Sequence, residues 1–431
     1  MEKDLKINYE KALDVLTSKD NKLAVNINAC VRCGLCADSC MYYKALKHSD
    51  YIPGKKVELV GSLYKRYSSF TGRVAPYLFG AKELDEKSAS QMVDLLFGAC
   101  TMCGRCVKHC SIGVDIPYVV RKGREMLVAM NMVPQTLQAT VDAAVQTGNN
   151  MGIPEDEFTD TIRWMEDELR DELSDEKAAI PLNEVNRDVF YTLNPREPKF
   201  FPLSISAMAK IFYAAKESWT LSTKYYDVTN YGFFNANNQE AAIITRNLHD
   251  EVKRLGCKRL VLGECGHGSR ANRWEGPNYL KKQYDFDVTT VVELIAEYIQ
   301  SGKIKIDKSL NSQKYTIHDP CNLVRNGGLL KQIRFVVKEA VSDFVEMNPY
   351  GNDNFCCGGG GGQLAMSEYN ERRIAIGKIK ADQIKATGAK VVITPCHNCV
   401  DQLSQLNHTY KLGVQIKTIA EVVADALIIN N

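Results

Sequence analysis

The residues best equipped for chemistry stand together at Asn354-Phe355-Cys356-Cys357-Gly358-Gly359-Gly360-Gly361-Gly362, where two adjacent cysteines run into five glycines. Adjacent cysteines rarely bridge one another, because the ring they would close departs from ordinary disulfide geometry. They read as two thiolates aimed at one metal centre. The glycines let backbone approach inorganic atoms and take up positive φ where a side chain has no room. Cys321 lies upstream in His318-Asp319-Pro320-Cys321, and Cys396-His397-Asn398-Cys399 lies downstream, so five thiols are available to one block. His267, His318 and His397 are close in sequence to cysteines of this region. Imidazole titrates where protons must be moved, so each can either deliver a proton or hydrogen-bond sulfur and backbone.

Two further runs repeat one spacing. Cys30, Cys33, Cys36 and Cys40 form C-x2-C-x2-C-x3-C, and Cys100, Cys103, Cys106 and Cys110 form it again. This is the ligand run of two-cluster bacterial ferredoxins, in which three close cysteines serve one [4Fe–4S] cluster and the fourth crosses to the other. The crossover assigns Cys30, Cys33, Cys36 and Cys110 to one cubane, and Cys100, Cys103, Cys106 and Cys40 to the second. Met41 and Ser111 stand where a proline usually follows the fourth cysteine. That proline shapes the exit turn and binds no metal. Zinc sites use paired C-x2-C units and not two matched quartets.

The composition agrees with a reduced, metal-binding chain. Fifteen cysteines occur in 431 residues, and the start, Met1-Glu2-Lys3-Asp4-Leu5-Lys6, lacks the apolar core of a secretory signal. A cytoplasmic setting is expected, where thiols stay reduced and clustered cysteines bind metal or do catalysis. Net charge is +2 with no long basic run, which excludes an extended nucleic-acid surface. No stretch approaches the ~18 consecutive apolar residues that a membrane-spanning helix needs.

These ligands need scaffolds to aim them. Leu59, Val60, Leu63 and Tyr64 recur at helical spacing, as do Met92, Leu95, Leu96 and Phe97, so the two quartets read as loops joining helices. Residues 1–131 are therefore expected to form a helical ferredoxin domain, with Pro117 placed in a first helical turn. Residues 132–187 read as an acidic helical connector, solvated along Glu155-Asp156-Glu157 and Glu166-Asp167-Glu168. Residues 188–308 and 309–431 read as two half-similar α/β modules, giving a mixed fold of helical ferredoxin plus pseudo-repeated modules. In each module a basic helix ends at glycine, a short buried strand follows, and a cysteine stands at the strand's carboxyl end, where open sheets build their sites. The register pairs Cys265 with Cys396, Gly268 with Cys399, and Asn230-Tyr231-Gly232-Phe233 with Asn354-Phe355-Cys356-Cys357. The first module, short of ligands, would supply a wall. Cys257 reads as a core thiol, and the helix marked by Ile205, Met208, Ile211, Phe212 and Ala215 with the aromatic run after it reads mostly as core.

Cys321, Cys356-Cys357-Gly358 and Cys396-x2-Cys399 resemble the cysteine-rich CCG domain of heterodisulfide reductases. Fusion behind a two-cubane ferredoxin resembles their membrane-associated catalytic subunit and, more closely, the related subunits of sulfate reducers' transmembrane redox complexes. The resemblance covers nearly the whole chain outside 132–187. It implies a special iron–sulfur cluster, in heterodisulfide reductase a non-cubane pair of fused units, held here by Cys321, Cys356, Cys357, Cys396 and Cys399. It implies an oxidoreductase whose chemistry on thiols or disulfides centres on Cys356 and Cys357; among the three histidines, His267 is the candidate to deliver the proton, with hydrogen bonding to sulfur or backbone as its other reading. It also implies an integral-membrane, quinone-linked haem b subunit and other redox subunits as partners, a small thiol, disulfide or sulfur-carrier protein as substrate, and a place on the inner face of the cell membrane. Two alternatives remain: a pure electron relay, and the iron–sulfur subunit of a glycolate, lactate or glycerol-3-phosphate oxidising complex.

Overall fold

The stretches flanking the two cysteine quartets fold as helices, in a computed structural model that describes residues 9–429. They belong to the first of two units, which gathers residues 1–139, 232–237 and 358–379. Its main helices are Asn21–Ala29, Pro53–Ser68, Glu86–Met92 and Ile116–Ala129. Pro53 and Pro117 each stand in a first turn, where the missing N–H leaves no bond unmade, and Asp115 caps the fourth helix through Tyr118 N. Val57, Val60 and Leu63 are buried in the second helix, and Val119, Val120 and Leu127 in the fourth. A side chain at Gly123 would stand 2.4 Å from Leu96 Cδ1 and 2.9 Å from Val60 Cγ2, so this glycine permits a close crossing. After Met92 the helix widens into a π turn, Val93–Gly98, which buries Leu95, Leu96 and Phe97 just before the second ligand loop.

Arg124 ties this unit together. It is fully buried and donates to Leu96 O, to Cys100 O at 2.9 Å, to Gly361 O at 2.8 Å and to Phe234 O, four carbonyls from three stretches of chain. Its guanidinium lies 4.6 Å from the centre of the Phe97 ring. Burial lowers it to about 10, which still leaves it charged at neutral pH. Arg124→Met should strand these carbonyls without water, at about 1–3 kcal/mol for each one left unpaired. The expected result is a lower denaturation midpoint for this unit. Arg124→Lys should recover only part of the loss, because an ammonium lacks the planar fork.

The second unit, residues 140–231, 238–357 and 380–431, holds the sheets. Its strands are β1 (Val189–Tyr191), β2 (Trp219–Thr220), β3 (Arg259–Leu262), β4 (Asp287–Thr290), β5 (Lys305–Ile306), β6 (Lys314–Ile317), β7 (Asp343–Val345), β8 (Val391–Ile393), β9 (Gln415–Lys417) and β10 (Leu427–Ile428). One sheet has the order β2-β1-β3-β4 and another β7-β6-β8-β9, all parallel, while β5 pairs antiparallel with β10. Central strands such as Val391-Val392-Ile393 are buried throughout, as strands covered on both faces must be. The fourth strand of each sheet runs into a helix closed by the same capping box. Thr290 and Glu293 start Val291–Gln300, and Thr418 and Glu421 start Ile419–Asp425.

The acidic stretch is more than a solvated connector. Helix Glu155–Leu173 buries Phe158, Ile162, Met165, Leu169 and Leu173 in the same core as β1 residues Val189 and Tyr191, with its carboxylates on the opposite face. Trp164, one residue from Met165, is on the outside. Helix Leu203–Ala215 buries all five apolar residues that marked it, and Trp219, Tyr226, Tyr231, Phe233 and Phe234 are buried too. No helix among the described residues is long and apolar enough to cross a membrane.

Candidate metal centres

In the first unit the two quartets form loops of matching backbone shape. Arg32 and Gly34 take positive φ of 58° and 83°, and Met102 and Gly104 take 53° and 77°. These are the third and fifth positions counted from Cys30 and from Cys100, so each loop turns in the same register. Cys40 then stands at the start of helix Met41–Leu46. One cavity is lined by Cys30, Cys33, Cys36 and Cys110, and a second by Cys40, Cys100, Cys103 and Cys106. Arg105 binds the loops together through Ser39 O at 3.0 Å.

The electrostatics of these thiols ask for a cationic centre. Burial and the neighbouring Cys103, Cys100 and Cys40 push the Cys106 thiol well above its ordinary value. Burial likewise raises Cys36, with Cys30 and Cys33 adding to the rise and the Gly54 N–H at the start of helix Pro53–Ser68 opposing it. Buried Lys56 opposes the rise at Cys40 and Cys106. Four thiols facing one cavity fit an iron–sulfur cube, which draws thiolates and offsets their mutual repulsion.

In the second unit, the adjacent parallel strands β6 and β8 end at the CCG cysteines. Ile317 leads through His318, Asp319 and Pro320 to Cys321, and Ile393 leads through Thr394 and Pro395 to Cys396, which starts helix His397–Tyr410. The loop after β7 brings up Cys356 and Cys357. It is anchored by Asp319, which pairs with both Arg334 terminal nitrogens at 2.7 and 2.8 Å and accepts from Gly351 N at 2.6 Å. Cys399 Sγ lies 3.3 Å from Cys357 Sγ, and both lie within 4.8 Å of a His318 ring nitrogen. Cys356, Cys357, Cys396 and Cys399 are buried, while Cys321 is only half-buried. Hydrogen bonding with Cys399 pulls Cys396 down to about 6 against the effect of burial, and the Gly266 N–H, 3.3 Å from Cys396 Sγ, helps. Hydrogen bonding with Cys357 and Cys396 raises the Cys399 thiol well above its ordinary value, and sulfurs this close again fit a bound metal centre.

Two members of this site carried no clear signal in sequence. His318 stood out there only as a histidine near ligands, yet its ring is fully buried among the thiols. Burial and Lys380 hold it well below its ordinary value, so it is neutral. Lys380, in the middle of a long helix, is also fully buried. It donates to Asn354 Oδ1 at 2.6 Å, and burial lowers it to about 7 against the pull of Asp319, Cys357, Cys356 and Cys399. Nothing in its neighbourhood of charged helix residues singled it out.

The remaining candidates sort themselves by environment. His267 is buried against Asn398, and burial with Arg196 and Arg270 lowers it to about 3. It is therefore neutral at physiological pH and suited to hydrogen bonding. His397 is the opposite case: against burial, Glu197 at 3.5 Å and Glu264 raise it to about 9. Cys265 is pushed up to about 12 by burial and Cys396, and its sulfur accepts from Gly268 N at 3.3 Å and Asn194 Nδ2 at 3.5 Å. At Gly268, which the sequence pairs with Cys399, any side chain would stand 2.4 Å from Val228 O, so a thiol there has no room. The glycine run also answers a need that sequence did not show. Gly361, at φ 65°, belongs to the first unit, and a side chain on it would stand 2.7 Å from the Thr101 carbonyl carbon, inside the second ligand loop.

Comparison with known proteins agrees with this geometry. Residues 26–114 match the 4Fe-4S dicluster domain, and residues 315–404 match the cysteine-rich domain CCG. The chain is 24% identical over 471 residues to the Hdr-like menaquinol oxidoreductase iron-sulfur subunit 2 of Archaeoglobus fulgidus, covering 97% of this chain and 83% of that protein. It is 26% identical over 411 residues to a dihydromethanophenazine:CoB--CoM heterodisulfide reductase subunit from Methanosarcina barkeri, covering 94% of each. The chain thus carries a 4Fe-4S dicluster domain followed by a cysteine-rich domain, and over nearly its whole length it is similar to iron–sulfur subunits of heterodisulfide-reductase-like oxidoreductases.

Proposed function

We propose that this chain is the electron-transfer subunit of a heterodisulfide-reductase-like oxidoreductase complex, carrying two [4Fe–4S] clusters and a third iron–sulfur centre where thiols and disulfides interconvert. The observation that carries the reading is the convergence of Cys357, Cys399 and His318 at the ends of β6 and β8. In this reading Cys30, Cys33, Cys36 and Cys110 hold one cubane and Cys40, Cys100, Cys103 and Cys106 the other. Cys321, Cys356, Cys357, Cys396 and Cys399 hold the third centre. Bound there, an iron–sulfur centre supplies electrons singly and in contact with sulfur, which suits the two-electron, two-proton conversion of one disulfide to two thiols.

The chain's own residues contribute the surroundings. Phe355, Cys356, Cys357, Cys396 and Cys399 are buried and keep water away, while half-buried Cys321 marks the side from which a sulfur compound enters. Asn354 and Lys380 hold the Cys356-Cys357 loop by their mutual bond. The division into a ferredoxin domain at 1–131 and a cluster-bearing module at 309–431 is supported by the two family matches, which fall inside them. The repeat of 188–308 in 309–431 is supported by the like strand order and the twin Thr-x-x-Glu caps. A quinone-linked partner is supported by relatives named as menaquinol and dihydromethanophenazine enzymes, and the proposal places that partner in the membrane with this chain peripheral on the inner face.

The test is spectroscopic. Candidate disulfides and thiols are added to the oxidised, loaded protein, and the paramagnetic spectrum of the third centre is followed. A perturbation of that spectrum by a disulfide or thiol is the expected result. If none perturbs it, the chain is a relay without a sulfur substrate.

A further inference from the structure

In the first unit, five large apolar residues lie exposed within ten positions: Phe70, Val74, Tyr77, Leu78 and Phe79, with Tyr77 94% and Leu78 79% accessible. They sit on two short helices, Phe70–Val74 and Pro76–Phe79. Single exposed apolar side chains are ordinary, but a contiguous run marks a surface meant to be covered.

Its position says what covers it. Tyr77, Leu78 and Phe79 share a cleft of about 620 Å³ with Cys30, Val31 and Arg32 of the first ligand loop. The exposed apolar face continues from there around the first cavity through Val31, Leu35 and Ile112, and Cys33 itself is exposed. The second cavity differs. Its walls at Met41, Tyr42, Lys56, Ala99 and Met102 are all buried. One redox centre therefore faces outward beside an apolar surface, and its neighbour lies inward.

The charge around this face narrows the partner further. From Lys65 to Lys82 the chain carries Lys65, Arg66, Arg73 and Lys82 and no acidic residue. Among the carboxylates that flank it along the chain, Glu83 pairs with Arg66 and Glu58 with Arg32 and Lys55, while Asp85 caps the helix Glu86–Met92, leaving Glu86 in its first turn. The rim is net positive, and a carboxylate-rich rim complements it.

We propose that this face docks a redox protein whose contact surface is apolar at its centre and rimmed by carboxylates, which exchanges electrons with the centre in the Cys30, Cys33, Cys36 and Cys110 cavity. Each exchange moves one electron between the partner's carrier and that centre, with no bond made or broken and no proton required. A centre held by Cys40, Cys100, Cys103 and Cys106 in the second cavity would be the next carrier. A lipid surface would also accept basic and aromatic groups, but it places no electron carrier beside Cys33. The inference rests on the electron-transfer reading above.

The experiment labels surface residues by carbene footprinting, on the full iron-loaded chain alone and in the complex isolated from its host. Labelling of Phe70, Tyr77, Leu78 and Val31 should be lost in the complex and retained when the isolated chain meets protein-free phosphatidylglycerol vesicles. Tyr77→Ser with Leu78→Ser supports no core, so iron content and the dithionite-reduced spectrum should be unchanged. Electron transfer within the complex should slow about tenfold or more, as when central apolar anchors of an interface are removed. Unchanged labelling in the complex overturns the proposal, as does equal protection on vesicles or in a self-associated chain. A chain that binds no iron overturns the electron-transfer reading as well, whereas a loaded chain whose face stays labelled in the complex overturns the docking face alone.

Discussion

Cys357→Ser is expected to strip about four of some twelve irons from the chain, if each of three centres holds roughly four, while the two ferredoxin-type signals persist. Serine nearly preserves the shape of the buried thiol, so packing is kept and the softer ligand is lost. The effect should be large because Cys357 Sγ stands 3.3 Å from Cys399 Sγ at the meeting point of the loop after β7 and the helix after β8. Cys265→Ser provides the contrast. Its sulfur is already engaged by Gly268 N and Asn194 Nδ2, so iron content should not change. Colorimetric iron and low-temperature paramagnetic spectra read both variants. An iron count that survives Cys357→Ser would sink the five-cysteine centre.

The second large effect concerns which thiols share a cube. Neighbours in sequence would put Cys110 with Cys100, Cys103 and Cys106, whereas the first unit places it beside Cys30, Cys33 and Cys36. Pairs of substitutions separate these arrangements, since two losses within one cluster cannot add. Cys30→Ser with Cys110→Ser should cost the same iron as either alone, about four atoms, and Cys100→Ser with Cys110→Ser should cost about eight. The reverse pattern would mean that each run closes on itself.

Much of this was legible because cysteine spacing is itself the chemistry. A quartet at fixed intervals must be a loop wrapped on a centre, and the left-handed turns at Arg32, Gly34, Met102 and Gly104 are how the backbone complies. The acidic helix hides its packing face beneath its charge density. Phe158, Ile162, Met165, Leu169 and Leu173 recur at intervals of three and four, the spacing of a buried stripe, beneath carboxylates that dominate the composition. The repeated capping boxes were in plain view as Thr290-Val291-Val292-Glu293 and Thr418-Ile419-Ala420-Glu421, and would have fixed two helix starts. Lys380 could not have been found this way. On a helix with many basic residues, only the three-dimensional meeting with Asn354 distinguishes the buried one. Gly361 belongs to a run that reads as serving a metal, whereas its closeness to Thr101 depends on a contact between residues far apart in the chain.

The proposed exchange of fourth thiols between the two loops would also set a timetable for biosynthesis. A ribosome that has released only the first quartet has released three walls of one cavity and a single corner of the other. The second cavity lacks its full set of thiols until Cys106 has emerged and the first until Cys110, so iron delivery must wait for nearly the entire first segment of this unit to be translated. Nascent chains halted between Cys40 and Cys100 should remain colourless.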